Sequence, residues 1–155
     1  MACKTLLLHL QLGQSNAALL KLAAGFSKRL QANVVGAAAC QPLQLNYTDL
    51  YDAGNIVQMN RDQIDKELRE AEAEFRGAFD RQTGGADWRS DVPISALATW
   101  LAEQARSAAL VITEVDHENS VFDSTHHVNI GDLVLQLGRP LLIVPRGLDS
   151  FVPER

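Results

Sequence analysis

Most of the side chains that could do chemistry stand in one polar segment of the chain. Residues 114–127 hold three of the four histidines and four acids, with no lysine or arginine among them. The histidines are His117, His126 and His127, and the acids are Glu114, Asp116, Glu118 and Asp123. Imidazole and carboxylate groups are common ligands of divalent metal ions. A metal site is therefore one interpretation of this segment.

The spacing within the segment favours a simpler interpretation. His126 and His127 are adjacent, and neighbouring side chains of an extended segment point to opposite faces. The chain also lacks the H-x-x-x-H and C-x-x-C spacings that indicate a metal site. We therefore prefer a polar surface loop and no metal, and keep His117, His126 and His127 as the candidates for the metal alternative.

Outside this segment, the sequence shows no pair of a catalytic nucleophile and a general base at a recognisable spacing. Ser15 precedes a helical pattern, where a serine commonly caps the first turn. His9 is a lone histidine in an apolar run, a setting typical of a hydrogen-bonded core residue. Cys3 and Cys40 are too few for a disulfide scaffold and are typical of small buried residues. We expect the protein not to be an enzyme.

The charge balance excludes further classes of function. The 155 residues carry 14 basic and 19 acidic side chains, a net charge of −5 at pH 7. Nucleic-acid binding needs a basic face, and the chain lacks that overall electrostatic footprint. No apolar run approaches the roughly 20 residues of a membrane-spanning helix, and the first eight residues do not resemble a signal peptide. We expect a cytoplasmic protein that binds neither nucleic acid nor membrane.

Apolar runs and helical spacing alternate along the chain. The runs predict strands at 5–10, 34–39, 110–113 and 141–144, with a further short strand at 86–89. Helical spacing predicts helices at 15–30, at 60–81, after Pro93, and between Asn129 and Gly138. Residues 41–59 read as a long connection of unknown role. The alternation predicts one α/β domain over residues 1–155, with a parallel sheet and helices on both faces.

Side-chain spacing also assigns the faces of these elements. Leu30 ends the apolar stripe of the first helix, and Val134 belongs to the apolar face of the last one. Charged residues of the second helix stand at i,i+4, as Asp62 does with Lys66, and predict a solvated face. Four large aromatic residues fit core packing better than stacking on a ligand. They are Phe75, Phe79, Trp88 and Trp100.

The two ends of the chain carry a family resemblance. The opening KTLLLHLQLGQSNAALLKLAAGFSKRLQANVVGAAA, the closing DLVLQLGRPLLIVP and the order of elements between them resemble the universal stress protein family. The resemblance covers nearly the whole chain. It implies an open five-stranded parallel sheet in the order 3-2-1-4-5, with helices on both faces, and a stress-response role.

The resemblance also implies a homodimer joined through the last strand, from Leu141 to Val144. An exposed apolar edge strand invites pairing with another chain, which favours the same arrangement. The alternative is that the C-terminal tail, residues 146–155, covers this edge.

Family members that bind ATP carry an aspartate at the end of the first strand and a G-x-x-G-x9-G-[S/T] run after the fourth. Here the first position falls near Leu10 and Gln11, neither of which is an acid. Thr113 and Asp116 stand at the first two glycine positions, and His126 or Val128 stands near the third. Glycines there would let backbone N–H groups approach phosphate, and side chains obstruct that approach.

The charge of the segment also disfavours phosphate, because its four acids would repel a polyphosphate. The backbone amides of Asn129 and Ile130, at the start of the last helix, remain as a generic anion site. We therefore expect no cofactor, and a dimeric regulatory module that does not bind ATP.

The alternative is an adenosine-type or other small ligand, such as ATP or AMP. Parallel α/β sheets bind ligands where the strand order reverses, which the implied order places between the first and fourth strands. The residues expected to line this crevice are Gln11, Ser15, Thr113, Glu114 and Asp116, with Cys40 at its border.

Overall fold

The apolar runs of the sequence form the strands of one parallel sheet. The computed structural model describes residues 4–44, 53–80, 86–115 and 125–151. Its strands are β1 (Thr5–His9), β2 (Asn33–Ala39), β3 (Ala86–Asp91), β4 (Leu110–Val115) and β5 (Leu141–Pro145). Its helices are α1 (Ala17–Leu30), α2 (Ala53–Phe79), α3 (Leu97–Gln104), continued by the 3-10 turn Ala105–Ser107, and α4 (Ile130–Leu137). The strands pair in parallel in the order β3-β2-β1-β4-β5, which confirms the expected fold class.

β1 lies at the centre of the sheet and is buried on both faces. Leu7 pairs in register with Val35 of β2 and with Val111 of β4. Its side chain belongs to the apolar cluster with α3 and α4, whereas Leu8 belongs to the cluster with α1 and α2. Because successive side chains of a strand point to opposite faces, an uninterrupted leucine run is what a doubly covered strand requires.

Small residues in β2 leave room for the aromatic side chains of α2 and β3. A Cβ atom at Gly36 would lie 2.7 Å from ring atoms of both Phe75 and Trp88. Phe75 packs on Phe79 and on Trp88, with ring centroids 5.0 and 5.5 Å apart. Trp100 is buried in the cluster on the other face. Phe75, Phe79 and Trp100 are therefore buried in the core, as predicted, and Trp88 is half-buried against the cluster that contains Phe75.

The predicted start of the second helix is wrong. α2 begins at Ala53 instead of Asn60, so the last part of the expected 41–59 connection is helical. Residues 45–52 of that connection lie outside the described part of the chain. The first turns of α2 expose Ile56 and Met59. A helix is recognised in a sequence by its buried apolar stripe. These first turns have no such stripe, so the sequence does not indicate that they are helical.

Two residues are assigned wrongly to the buried faces of their helices. Leu30 is exposed at the last residue of α1, beyond the turns that pack on the sheet. Val134 of α4 is 56% exposed, because α4 buries only the narrow side that carries Leu133 and Leu137. None of the helices in the described part of the chain is both long and apolar enough to cross a membrane.

Candidate functional site

The candidate site lies at the carboxyl ends of β1 and β4, where the strand order reverses. Gln11, Thr113 and Glu114 meet there, as the sequence predicts, and Ile130 joins them from α4. With Val115, His127 and Val128 they surround a cavity of about 30 Å³. That volume accommodates about one or two water molecules. A role for these residues in ligand binding stays a prediction.

The turn that leaves β1 is held by one buried amide. Asn16 Oδ1 accepts from the backbone N–H of Gln11 at 2.8 Å, and Asn16 Nδ2 donates to the carbonyl oxygen of Gln11 at 2.9 Å. The Gln11 side chain in turn donates to the carbonyl oxygen of Glu114 at 3.2 Å. The ends of β1 and β4 are therefore tied together by protein groups at the point where a ligand would enter.

A carboxylate from α2 occupies the start of α1. Glu74 Oε1 accepts from the backbone N–H of Asn16 at 2.8 Å and from Ser15 Oγ at 3.1 Å, and Glu74 Oε2 accepts from Asn16 Nδ2 at 3.2 Å. Asn16, rather than Ser15, is the residue at the N-cap position. The partial positive charge of a helix N-terminus, which attracts anions, is thus already facing a protein carboxylate.

A second acid of α2 also faces inward. The Glu67 side chain is only 12% exposed, and its Oε2 lies 3.5 Å from His126 Nε2. Gly13, at φ 74°, passes close by, since a Cβ atom there would lie 3.6 Å from Glu67 Oε1. Glu67 and Glu74 stand outside the i,i+4 pairs, such as Asp62 with Lys66, for which the sequence predicts a solvated face.

The segment before α4 crosses the carboxyl end of β2. The backbone N–H of Gln41 donates to the carbonyl oxygen of Thr125 at 2.9 Å, and His126 reaches α2 at Glu67. Cys40 is fully buried beside Gln41 and is not one of the described residues around the cavity. The expected border of the crevice is thus covered by the protein's own chain.

A side chain caps the start of α4, the helix predicted between Asn129 and Gly138. Asn129 Oδ1 accepts from the backbone N–H of Asp132 at 3.0 Å, and Gly138 ends the helix at φ 58°. Asn129 points its side chain to the cap, whereas Ile130 lines the cavity. An acid in the first turn, Asp132, adds a further negative charge at this helix N-terminus.

The described residues do not form a cluster of side chains that could hold a metal ion. His126 lies against Glu67 and His127 lines the cavity, and no group of three metal-ligating side chains forms in the described ranges. Asp116, His117, Glu118 and Asp123 lie outside those ranges.

His9 is a buried core histidine, as its sequence setting indicates. Its Nδ1 lies 2.9 Å from Thr113 Oγ1. Burial lowers the pKa of His9 to about 4, and the nearby charge of His127 adds to this effect. His9 is therefore neutral near pH 7. Thr113, whose hydroxyl is hydrogen-bonded to His9, is also one of the residues that line the cavity.

Solved structures of one family share this architecture. A universal stress protein family protein from Burkholderia pseudomallei superposes with a TM-score of 0.59 at 19% identity, over 92% of this chain and 96% of that one. The chain has the universal stress protein fold. The universal stress protein from Archaeoglobus fulgidus in complex with dAMP superposes with a TM-score of 0.57 at 13% identity. The match covers 92% of this chain and 98% of that one. A universal stress protein family protein from Arabidopsis thaliana with AMP bound superposes with a TM-score of 0.51 at 9% identity, over 94% of both chains.

Beyond the resemblance of the two ends of the chain, the likeness to universal stress proteins is shown by solved structures. No family model matches the sequence, and no curated protein matches it. The identities to the three structures lie between 9% and 19%, so they establish the fold and leave the function to the site residues.

Sequence reasoning missed three residues of this site, namely Asn16, Glu67 and Glu74. A signal for the two acids is present: they stand seven residues apart, which is two helical turns, along one border of the apolar stripe that contains Ile64 and Phe75. Asn16 carries no comparable signal, because Ser15 beside it fits the N-cap equally well.

Replacing Asn16 with alanine tests the network at the turn. Asn16→Ala removes the side chain that hydrogen-bonds the backbone N–H and carbonyl of Gln11 and the carboxylate of Glu74. The free energy of unfolding should therefore fall by about 1–3 kcal/mol. Urea denaturation followed by circular dichroism measures the change. Asn55→Ala, at an exposed position of α2, is the control and should stay within about 0.7 kcal/mol of the parent chain. Equal stability of the two variants would contradict the role given to Asn16.

The lowered pKa of His9 predicts a pH dependence of stability. In the unfolded chain His9 takes up a proton near pH 6.5, whereas in the folded protein it does so only near pH 4. The unfolded state therefore binds more protons between these values. The contribution of neutral His9 to the free energy of unfolding is complete above pH 6.5 and is lost as the pH falls toward 4. This loss amounts to about 2–3 kcal/mol.

Urea denaturation at pH 7.5 and pH 4.5 measures this loss. His9→Gln cannot titrate and should lose less stability between the two pH values than the parent chain. His126→Gln, which removes a half-buried histidine, should retain the pH dependence. If His9→Gln and the parent chain lost the same stability, His9 would not be the group responsible.

Proposed function

We propose that this chain is an atypical universal stress protein, a dimeric cytoplasmic stress-response module that acts by interaction and neither binds ATP nor catalyses a reaction. The observation that carries the proposal is the occupation of the crevice by the protein's own groups. Glu74 faces the start of α1, and His126 with Glu67 closes the region beside β2.

Electrostatics argue against a phosphate in this crevice. Glu114 is among the described residues that line the cavity, and no lysine or arginine is. Glu74 stands at the start of α1, and Glu67 lies beside His126. A unit negative charge about 5 Å from one such carboxylate would be disfavoured by about 3 kcal/mol at an effective dielectric constant of 20. That is a loss of about 100-fold in affinity.

The space in the crevice argues in the same direction. The described cavity is about 30 Å³, whereas pockets for small ligands commonly measure about 300–1,000 Å³. A nucleotide would have to displace the segment that joins Gln41, His126 and Glu67. That displacement would break interactions before any ligand contact formed.

The two edges of the sheet differ in a way that supports the proposed dimer. The β3 edge carries the polar residues Asp87, Arg89, Ser90 and Asp91, whereas β5 has the uncharged sequence LLIVP. Charges protect an edge strand from pairing, and an apolar edge invites it. In the described part of the chain β5 pairs only with β4.

The described part of the C-terminal tail runs away from β5. It turns at Gly147 and returns to α1, where Asp149 pairs with Lys21 at 2.7 Å. The tail as far as Phe151 therefore supports the dimer over the alternative in which the tail covers the edge.

A second candidate is an adenosine-type ligand in the crevice between β1 and β4. The observation that favours it is the likeness to proteins solved with dAMP and with AMP. The candidate residues are Gln11, Thr113, Asn129 and Ile130 among those described, with Asp116 outside them and Cys40 buried at the border.

Calorimetric titration with ATP, ADP and AMP tests the absence of nucleotide binding. We expect no saturable heat, corresponding to Kd values weaker than about 1 mM, because the crevice carries negative charge and little free volume. Saturable binding in the micromolar range would contradict the proposal.

Thermal shift with adenosine, AMP and cyclic AMP tests the second candidate. A ligand at the crevice would raise Tm in the parent chain and in Thr99→Val, whose position is on α3, and would fail to do so in Thr113→Val.

Substitutions on the two edges test the dimer. Ile143→Lys places a charge on β5 and should convert the protein to a monomer in sedimentation velocity at micromolar concentration. Ser90→Lys, on the exposed edge of β3, is the matched control and should leave the dimer intact. A parent chain that sediments as a monomer, or a dimer lost only in Ser90→Lys, would contradict pairing through β5.

A further inference from the structure

A groove runs between α1 and the part of the C-terminal tail that returns to it. Its walls come from residues 21–29 of α1 and residues 149–151 of the tail, and we refer to the space between them as the tail groove. The groove encloses about 200 Å³, whereas the cavity between β1 and β4 has about 30 Å³. The described chain therefore leaves more room for a small molecule here than in the crevice.

The floor of the tail groove is apolar. Leu22 is buried, and Phe26 is half-buried against the core cluster beneath α1. Phe151 lines the groove from the tail and is 49% exposed. Aromatic and aliphatic walls of this kind are typical of sites for small molecules.

Gly25 keeps the middle of the tail groove open. Glycine is among the least favourable residues in a helix interior, and Gly25 lies within α1. A Cβ atom there would meet no atom of a packing neighbour within 4 Å, so the packing of the described chain does not require a glycine. Because Gly25 lines the groove, a larger side chain at this position would occupy part of it.

One cation of the tail groove remains available to a ligand. Lys21 pairs with Asp149 at 2.7 Å, and the hydrogen bond from Lys21 lowers the pKa of Asp149, so these two charges offset each other. Arg29 also lines the groove and forms no ion pair with any residue of the described chain. A guanidinium group binds a carboxylate through two parallel hydrogen bonds. The groove therefore favours an anion at its Arg29 end.

The spacing along α1 connects this cation to the open space. Gly25 and Arg29 are spaced i,i+4, so they lie on one side of the helix, about 6 Å apart along its axis. An apolar cavity of about 150 Å³ in another protein takes up benzene. The tail groove is thus large enough for one aromatic ring, and a carboxylate on a ring beside Gly25 would reach Arg29.

We propose that the tail groove binds a small aromatic carboxylate, with its ring beside Gly25 between Phe26 and Phe151 and its carboxylate on Arg29. The site is separate from the crevice and from β5, so the inference depends neither on the absence of nucleotide binding nor on the dimer. A molecule bound there contacts both α1 and the tail. It would give the proposed interaction module a small-molecule ligand outside the crevice.

Fluorine NMR of 4-fluorobenzoate in the presence of the full chain tests the site. The parent chain should bind this probe saturably, with a Kd of about 0.1–1 mM for a ligand of this size. The uncharged analogue 4-fluorobenzamide should bind about fivefold more weakly or worse, because it offers Arg29 no negative charge. Absence of saturable binding, or equal binding of the two compounds, would overturn the inference.

Two glycine variants locate the bound ring. Gly25→Leu fills the groove and should raise the Kd of 4-fluorobenzoate by about tenfold or more. Gly77→Leu is the matched control, because Gly77 lies on α2 and a Cβ atom there also meets no packing neighbour within 4 Å. It should leave the Kd within about twofold of the parent chain. If the two variants bound the probe equally well, the ring would not lie in the tail groove.

A second pair of variants covers the case in which Gly25→Leu does not fold. Arg29→Gln should raise the Kd of 4-fluorobenzoate by about fivefold or more. Lys28→Gln removes the neighbouring cation, which is not among the described residues that line the groove, and should leave the Kd within about twofold. Both variants lower the net charge equally, so equal Kd values would contradict the role given to Arg29 and overturn the inference.

Discussion

The arrangement of the whole crevice depends on how Asn16 and Glu74 hold the turn after β1. β1 is covered on both faces, and the chain leaves it through the half-buried Gln11. Asn16 bonds both backbone groups of Gln11, and Glu74 holds Asn16. A buried amide or carboxylate without partners costs free energy. The turn and α2 therefore stabilise each other's positions.

The same interaction sets the electrostatic character of the site. A helix N-terminus beside a crevice would ordinarily attract an anion, but here α1 starts against Glu74 and α4 carries Asp132 in its first turn. Glu67 adds a third carboxylate, close to His126. The fold is shared with proteins solved with nucleotides, while the described residues around the cavity of this chain include Glu114 and neither lysine nor arginine.

Much of the fold could be predicted because it depends on local periodicity. The leucine run of β1, the small residues of β2 and the caps of α4 each carry a signal within a few residues. The position of Glu67 and Glu74 at the border of the apolar stripe does not identify their partners, since charged residues on a helix are usually solvated. Only the packing of α2 beside the turn after β1 shows that these two acids face inward.

The sequence by itself determined the class of fold, the element order, the buried aromatic residues and the absence of a basic cluster, because composition and spacing express them directly. The tertiary structure decided which acids face the crevice, how the segment at His126 covers β2, and which side of α4 remains uncovered. These features depend on contacts between residues far apart in the sequence, such as Asn16 with Glu74. No local pattern encodes such a contact, because it forms only when the elements pack.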